Sequence, residues 1–241
     1  VQLRGTPEGQ GFSANFRGGL TPVVPAPYRE FFAGETAVIV SGVSLAQGGL
    51  RLDRLSVTGA QLDLNGALET ASDGFPRNLT LSGRIGDPRG PAVTLPVPGA
   101  ATRLNSAVIH LDYGQGRRWS GLVALDRLDA GDVRIEDLTL DLGGLAENLD
   151  DPARRNVTVE LTGLATGVGS ENPDIAAALG DRLELDAAIA LPPGAPVRID
   201  RARILGNGLA VDAEGVIADL GFDGRASARF SDISPLSGLA A

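Results

Sequence analysis

The 241-residue chain contains no cysteine, no methionine and no lysine. Without cysteine there is no disulfide framework, no cysteine-rich zinc site and no thiol chemistry, and the redox compartment stays open. Without lysine a P-loop is excluded, and all 21 basic groups are arginines, a bias that a GC-rich genome also produces. Without methionine Val1 is not an encoded start, so the sequence reads as an excerpt of a longer chain; a missing signal peptide then says nothing about location. A basic excess is also missing: the formal net charge of -9 argues against nucleic acid, whose phosphates need a basic patch. No run of about eighteen apolar residues exists to span a bilayer. Aromatics are only 4%, so buried surfaces are lined by Leu, Val, Ile and Ala.

What is present is alternation. A hydrophobic content of 43% marks a folded chain, and 33 glycines with 15 prolines mark many turns. Period-two patterning runs through "TAVIVSG" from Thr36, "NLTLSGRI" from Asn78 and "AVIHLDY" from Ala107. It recurs in "GLVALDRL" from Gly121, "NVTVELTG" from Asn156 and "RLELDAAIAL" from Arg182. Helical pattern is confined to "SENPDIAAALG", with a cap at Ser170 or Asn172, Pro173 in the first turn and Gly180 as the stop. A further helical turn is expected at "YREFF", Tyr28–Phe32, and "AENLDDPARRN" reads as a polar connection in which Asp150-Asp151 and Arg154-Arg155 are solvated. The expectation is a single elongated all-β domain over 1–241, a mostly antiparallel curled sheet with one short helix.

Three stretches break step. In "GLRLDRLSVTGAQLDLNG", Leu52 has one parity while Leu55 and Val57 have the other. "DVRIEDLTLDLGG" and "PVRIDRARILGNG" do the same, and all three read apolar-Arg-apolar-acid-charged-apolar-polar-apolar. A one-residue slip would turn every later side chain to the wrong face. A β-bulge absorbs the extra residue and restores facing. Bulged-strand repeats are therefore predicted near 49–68, 132–144 and 196–217, each a bulged strand followed by an amphipathic partner.

Catalytic groups are scarce. His110 is the single histidine, and its parity in "VIHLDY" matches Asp112, which puts it on the wetter face and leaves no triad or multi-histidine metal site. "GVGSENPD" has Asn172 where a dinucleotide fingerprint needs its third glycine, and no βαβ pattern surrounds it. Asp126, Asp129 and Asp132 lack the ligand order of a calcium loop. "NLT" at Asn78 and "NVT" at Asn156 match glycosylation acceptors but fall inside strands. The residues predict no catalytic site, no metal and no cofactor.

The informative feature is the apolar face. It must be covered by a second sheet, by its own curl or by a ligand. Either it is the core of a closed sandwich or barrel, or it is an open aliphatic trough. Burying an acyl chain of about sixteen methylenes is worth on the order of 13 kcal/mol at ~0.8 per methylene, so a trough could hold lipid tails without help from charge. The candidate contacts are Leu52, Leu55, Val57, Leu62 and Leu64, then Leu138 and Leu140, then Ile199, Ile204, Leu209 and Val211.

"LRLDRLSVTGAQLDLNGAL" and "VRIDRARILGNGLAVDAEGVI" resemble the repeating unit of the TamB (translocation and assembly module) and AsmA-like proteins, and "RFSDISPLSGLA", Arg229–Ala240, is similar to the stretch that separates their modules. The resemblance implies a β-taco, a U-shaped sheet with a hydrophobic interior. It further implies a periplasmic protein anchored in the inner membrane, which shields phospholipid acyl chains during transfer to the outer membrane and supports outer-membrane protein assembly with a TamA-like partner. The anchor and the partner-binding domain are not recognisable, so the chain would be an interior or N-terminal-half segment. Two rivals stay open: a structural or adhesive β-solenoid or sandwich of a secreted surface protein, and a carbohydrate-binding or -processing domain. One Trp and two Tyr give little to build a sugar platform with. The unequal spacing from Leu50 to Val133 to Val197 counts against a regular solenoid.

Overall fold

A computed structural model describes residues 1–97, 101–113, 116–218 and 221–230. The segment 231–240, which carries most of the "RFSDISPLSGLA" stretch, lies outside the described residues. The chain is all-β, with 68% of it in strands. The strands are β1 (Gln2–Thr6), β2 (Gly9–Gly19), β3 (Glu35–Leu45), β4 (Leu50–Thr58), β5 (Leu62–Thr70) and β6 (Pro76–Gly86). There follow β7 (Val93–Thr94), β8 (Thr102–Tyr113), β9 (Arg118–Ala130), β10 (Val133–Glu147) and β11 (Asn156–Thr166). The last are β12 (Gly169–Ser170), β13 (Arg182–Leu191), β14 (Val197–Leu205), β15 (Leu209–Ala218) and β16 (Gly221–Phe230).

They form one antiparallel sheet that does not close into a barrel. Its order follows the chain from β1 to β16, with the short β7 and β12 set aside on β8 and β10. Fourteen strands about 4.8 Å apart give a sheet roughly 60 Å long. Among the described residues, extensive packing joins only sheet neighbours and α1 (Pro173–Leu179) against β12, so no second layer of strands or helices covers either face.

The helix stands where its caps put it. Asn172 Oδ1 accepts the Ile175 N–H at 3.4 Å, and Gly180 ends the helix at φ 70°. The turn expected at Tyr28–Phe32 sits slightly earlier, as a 3₁₀ turn at Ala26–Tyr28 extended by Phe32 N–H donating to Tyr28 O.

Two of the three expected bulges are present. In β4 the register against both neighbours steps by one at Asp53-Arg54, so Leu52 pairs with Leu68 and Leu55 with Gly66. In β14 it steps at Asp200-Arg201. The third differs: β10 keeps one register against β9 and β11 throughout. Instead, β8, β9 and β10 lose a ladder pair at the same level, at Asn105, Arg127 and Glu136, where Arg127 takes φ 48°. Apolar parity switches in all three strands there, from Leu104 to Ala107, Leu125 to Leu128 and Ile135 to Leu138. Three strands slip together, so none needs a register step.

This changes the repeat. Long connections at 20–34, 87–101 and 167–181 all lie at one end of the sheet, and four pathway strands separate successive ones. The second strand after each is β4, β9 or β14, carrying Asp53-Arg54, Asp126-Arg127 or Asp200-Arg201 at its break. The middle copy is thus in β9, not at 132–144, and the three aspartates are 73 and 74 residues apart. The spacing is nearly constant, and the unit is four strands rather than two.

Candidate functional site

Directly opposed residues of an antiparallel pair share a face, so the register traces each face across the sheet. One row runs Val57–Leu64–Gly83–Ile109–Val123–Leu140–Gly163–Leu185–Ile204–Val211–Ala228, from β4 to β16. The adjacent row carries Leu55, Gly66, Leu81, Leu111 and Gly121, then Leu142, Leu161, Ala187, Ala202, Ala213 and Ala226. Leu62 and Leu138 belong to a third row through Ile85, Ala107 and Leu125. Leu52 joins Leu68, Leu79 and Tyr113, while Ile199 pairs with Ile189 and Leu209 with Phe230. All eleven sequence-predicted residues therefore share one face, and the two bulges keep them there.

That face buries itself with its own side chains. A Cβ placed on Gly163 would lie 2.6 Å from Leu140 Cδ2 and 3.0 Å from Leu185 Cδ1. One on Gly83 would lie 2.7 Å from Leu64 Cδ1. Leucines of neighbouring strands thus lean over glycine floors, which leaves most of the face half-buried. Complete burial is sparse and local. Val93, Leu104 and Ala107 sit where β7 pairs with β8 beside its break, and Leu104 is only 2% exposed. At the opposite end of the sheet Ala146, Leu149 and Ala190 are buried.

The opposite face is an ion lattice. Arg51 bonds Asp53 at 2.9 Å and Glu8 at 2.6 Å, Arg198 bonds Asp200 at 2.5 Å, and Arg201 pairs with Asp186. Arg203 and Arg229 both reach Asp212. Guanidinium hydrogen bonds hold the Asp186, Asp200 and Asp212 carboxyls below their ordinary value. His110 is exposed on this face opposite Ser82 and Leu122. Asp129 is engaged by Arg134 at 2.9 Å. Among the described residues no group of His, Asp or Glu is disposed to hold a metal ion, and no helix is long and apolar enough to cross a membrane.

One expectation fails at the 148–155 connection, which is not simply solvated. It reaches past the β8–β9 hairpin to the β5–β6 hairpin, where Arg155 Nη2 bonds Asp73 at 2.6 Å and stacks 3.9 Å from the Phe75 ring. Asp150 bonds Arg77 at 2.8 Å, and Leu149 is buried. The Arg155 side chain is 15% exposed. Its hydrogen bond lowers the Asp73 carboxyl, while burial, with the nearby Asp150 charge, raises the Tyr113 hydroxyl. Trp119 adds a hydrogen bond from Nε1 to Thr158 O at 3.0 Å. An aromatic and ion-paired rim therefore straps the middle of the sheet along this end. Its partners are far apart in sequence, so alternation alone gives no sign of it.

Comparison with protein-family models, with curated proteins and with solved structures finds no significant match to this chain.

Proposed function

We propose that this chain is a non-enzymatic lipid-shielding segment whose apolar sheet face accepts phospholipid acyl chains. The observation that supports this reading is a continuous uncharged apolar face, traced across eleven strands from β4 to β16, with no second layer of strands or helices over it among the described residues. Contiguous apolar surface on that scale marks an interaction site rather than ordinary exterior. The lining is mainly Leu, Val, Ile, Ala and Gly, with aromatics such as Tyr113, Phe222 and Phe230 towards its margins, which suits flexible tails better than a shaped rigid ligand. With the resemblance to TamB and AsmA-like proteins, the setting we propose is the periplasm, with an inner-membrane anchor and a TamA-like outer-membrane partner engaged through other parts of the protein. The role is transfer of phospholipid and support of outer-membrane protein assembly.

A structural or adhesive role gains from the near-constant spacing of Asp53, Asp126 and Asp200. One experiment separates the two readings. A photoreactive residue replaces Leu140 on the apolar face, or Thr139, whose ladder partners are Ala124 and Leu164 on the ionic face, in the full-length protein in the cell envelope. Phospholipid adducts at 140 and not at 139 are expected. A folded protein that captures lipid at neither position overturns the lipid reading and leaves the structural one.

A further inference from the structure

Charges that oppose each other on the ionic face are of opposite sign in every ladder but one. Asp63 faces Arg84, Arg103 faces Asp129, and Glu214 faces Arg225. Such pairs stabilise a sheet, and like charges directly opposite destabilise it. The exception among the described residues is Asp126 of β9, which opposes Asp137 of β10.

That pair lies in a wider patch. With Asp112, Asp141 and Glu160 it makes five carboxylates on the ionic face of β8–β11, and none of them forms an ion pair among the described residues. Glu160 does feel Arg201, but that guanidinium is already bonded to Asp186. All 21 basic residues of the sequence are among the described residues, so the counter-charge is not supplied from within it.

An aliphatic stripe runs between these charges. Val108, Ala124, Thr139 and Leu164 are opposed in one row across β8–β11, with Leu122 beside Ala124. Val108 is 47% exposed, and beyond Glu184 the row reaches Leu205, which is 37% exposed. Among the described strand residues these are the two large hydrophobics that the ionic face exposes. Asp126 and Asp137 flank the stripe two residues along on one side, and Asp141 two residues along on the other. Asp112 and Glu160 stand two residues further out. The flanking rows are therefore about 7 Å from the stripe on either side. An α-helix about 10 Å across fits between them, and about ten of its residues span the four strands.

We propose that the ionic face of β8–β11 docks a basic amphipathic helix of a partner protein. Its aliphatic side lies on the Val108–Leu164 stripe, and its lysines or arginines stand over the carboxylates on either side. A cation set between Asp126 and Asp137 relieves their repulsion. The carboxylates are spread along both flanks rather than gathered, and no group of them is disposed to hold a metal ion among the described residues. The proposal stands whatever fills the opposite, apolar face.

The probe is a fluorescently labelled synthetic helix, leucine on one side and lysine on the other, titrated onto the full-length protein. Asp126→Asn with Asp137→Asn should weaken binding about tenfold. Glu214→Gln with Asp223→Asn, an equal change of charge outside the patch, should leave binding within about twofold. The first pair of substitutions removes a like-charge opposition, so that variant should melt no lower than the parent, whereas a purely structural role predicts a lower melting temperature. Equal weakening by both pairs reduces the contact to net charge and overturns the proposal. Equal binding of a helix with serine in place of leucine overturns it too, as does absence of binding to the full-length protein. Stabilisation by calcium alone, lost in the Asp126→Asn, Asp137→Asn variant, also overturns it and makes the patch a cation site.

Discussion

The middle of the sheet and its β16 end are built from the same alternation and yet differ in how they are held. Between β5 and β11 each inward leucine has a strand on either side, and two glycines let leucines lean over the backbone. The 148–155 connection then pins that region from outside. At β13–β16 one inward row is all alanine, at Ala187, Ala202, Ala213 and Ala226, and burial falls away until Ile217 is 41% exposed. A single layer stabilises itself by lateral packing of large side chains over small ones. Where the neighbours are small, or end, the same pattern yields only exposed surface.

The largest expected contrast is between Leu104→Ala and Ile217→Ala. The first empties a fully packed position and should lower stability by about 2–5 kcal/mol. The second trims a side chain that is already 41% exposed and should change it by less than about 1 kcal/mol. Urea unfolding of the two variants measures both, and equal effects would mean that the faces are held alike. Gly163→Val comes next, because its branches collide with Leu140 and Leu185, and a loss of about 1–3 kcal/mol is expected. Unchanged stability there would show that the leucines move aside freely.

The smallest effect is acidic loosening. Asp73, Asp186, Asp200 and Asp212 all lie below their ordinary value because guanidinium groups bond their charged forms. The unfolded chain binds these protons first, so their contribution is complete above about pH 4 and is lost as the pH falls through the lower folded values. Three of the four belong to β13–β15, so amide protection relative to the intrinsic exchange rate, followed from pH 5 downwards, should fall there before it does in β5–β11. A uniform fall would dissolve the distinction between the two regions.

Alternation alone located the apolar face, because parity is a local property that register merely extends. The bulges at Asp53-Arg54 and Asp200-Arg201 were legible for the same reason: each is complete within one strand. The middle copy was not. Asp126-Arg127 sits in "ALDRLDAGD", whose close-set aspartates look like a carboxylate cluster, while "VRIEDL" mimics the motif one strand too late. Its break is shared by β8, β9 and β10, and a shared slip leaves no signature in any single strand. The Asp73–Arg155 strap, with its partners 82 residues apart, is beyond any periodicity.

Pairing that, the short β7 and β12 aside, joins each strand to the one before it in the chain has a consequence for how such a molecule is made. Each new strand needs just the one before it, so no early segment has to wait for a late one to arrive. The sheet can grow in the direction of synthesis, each strand docking on a finished edge, with the cost of every closure limited to one short turn or one fifteen-residue connection. Length becomes an adjustable quantity. Inserting or removing a four-strand unit would alter the reach of the sheet while leaving the remaining units to assemble as before.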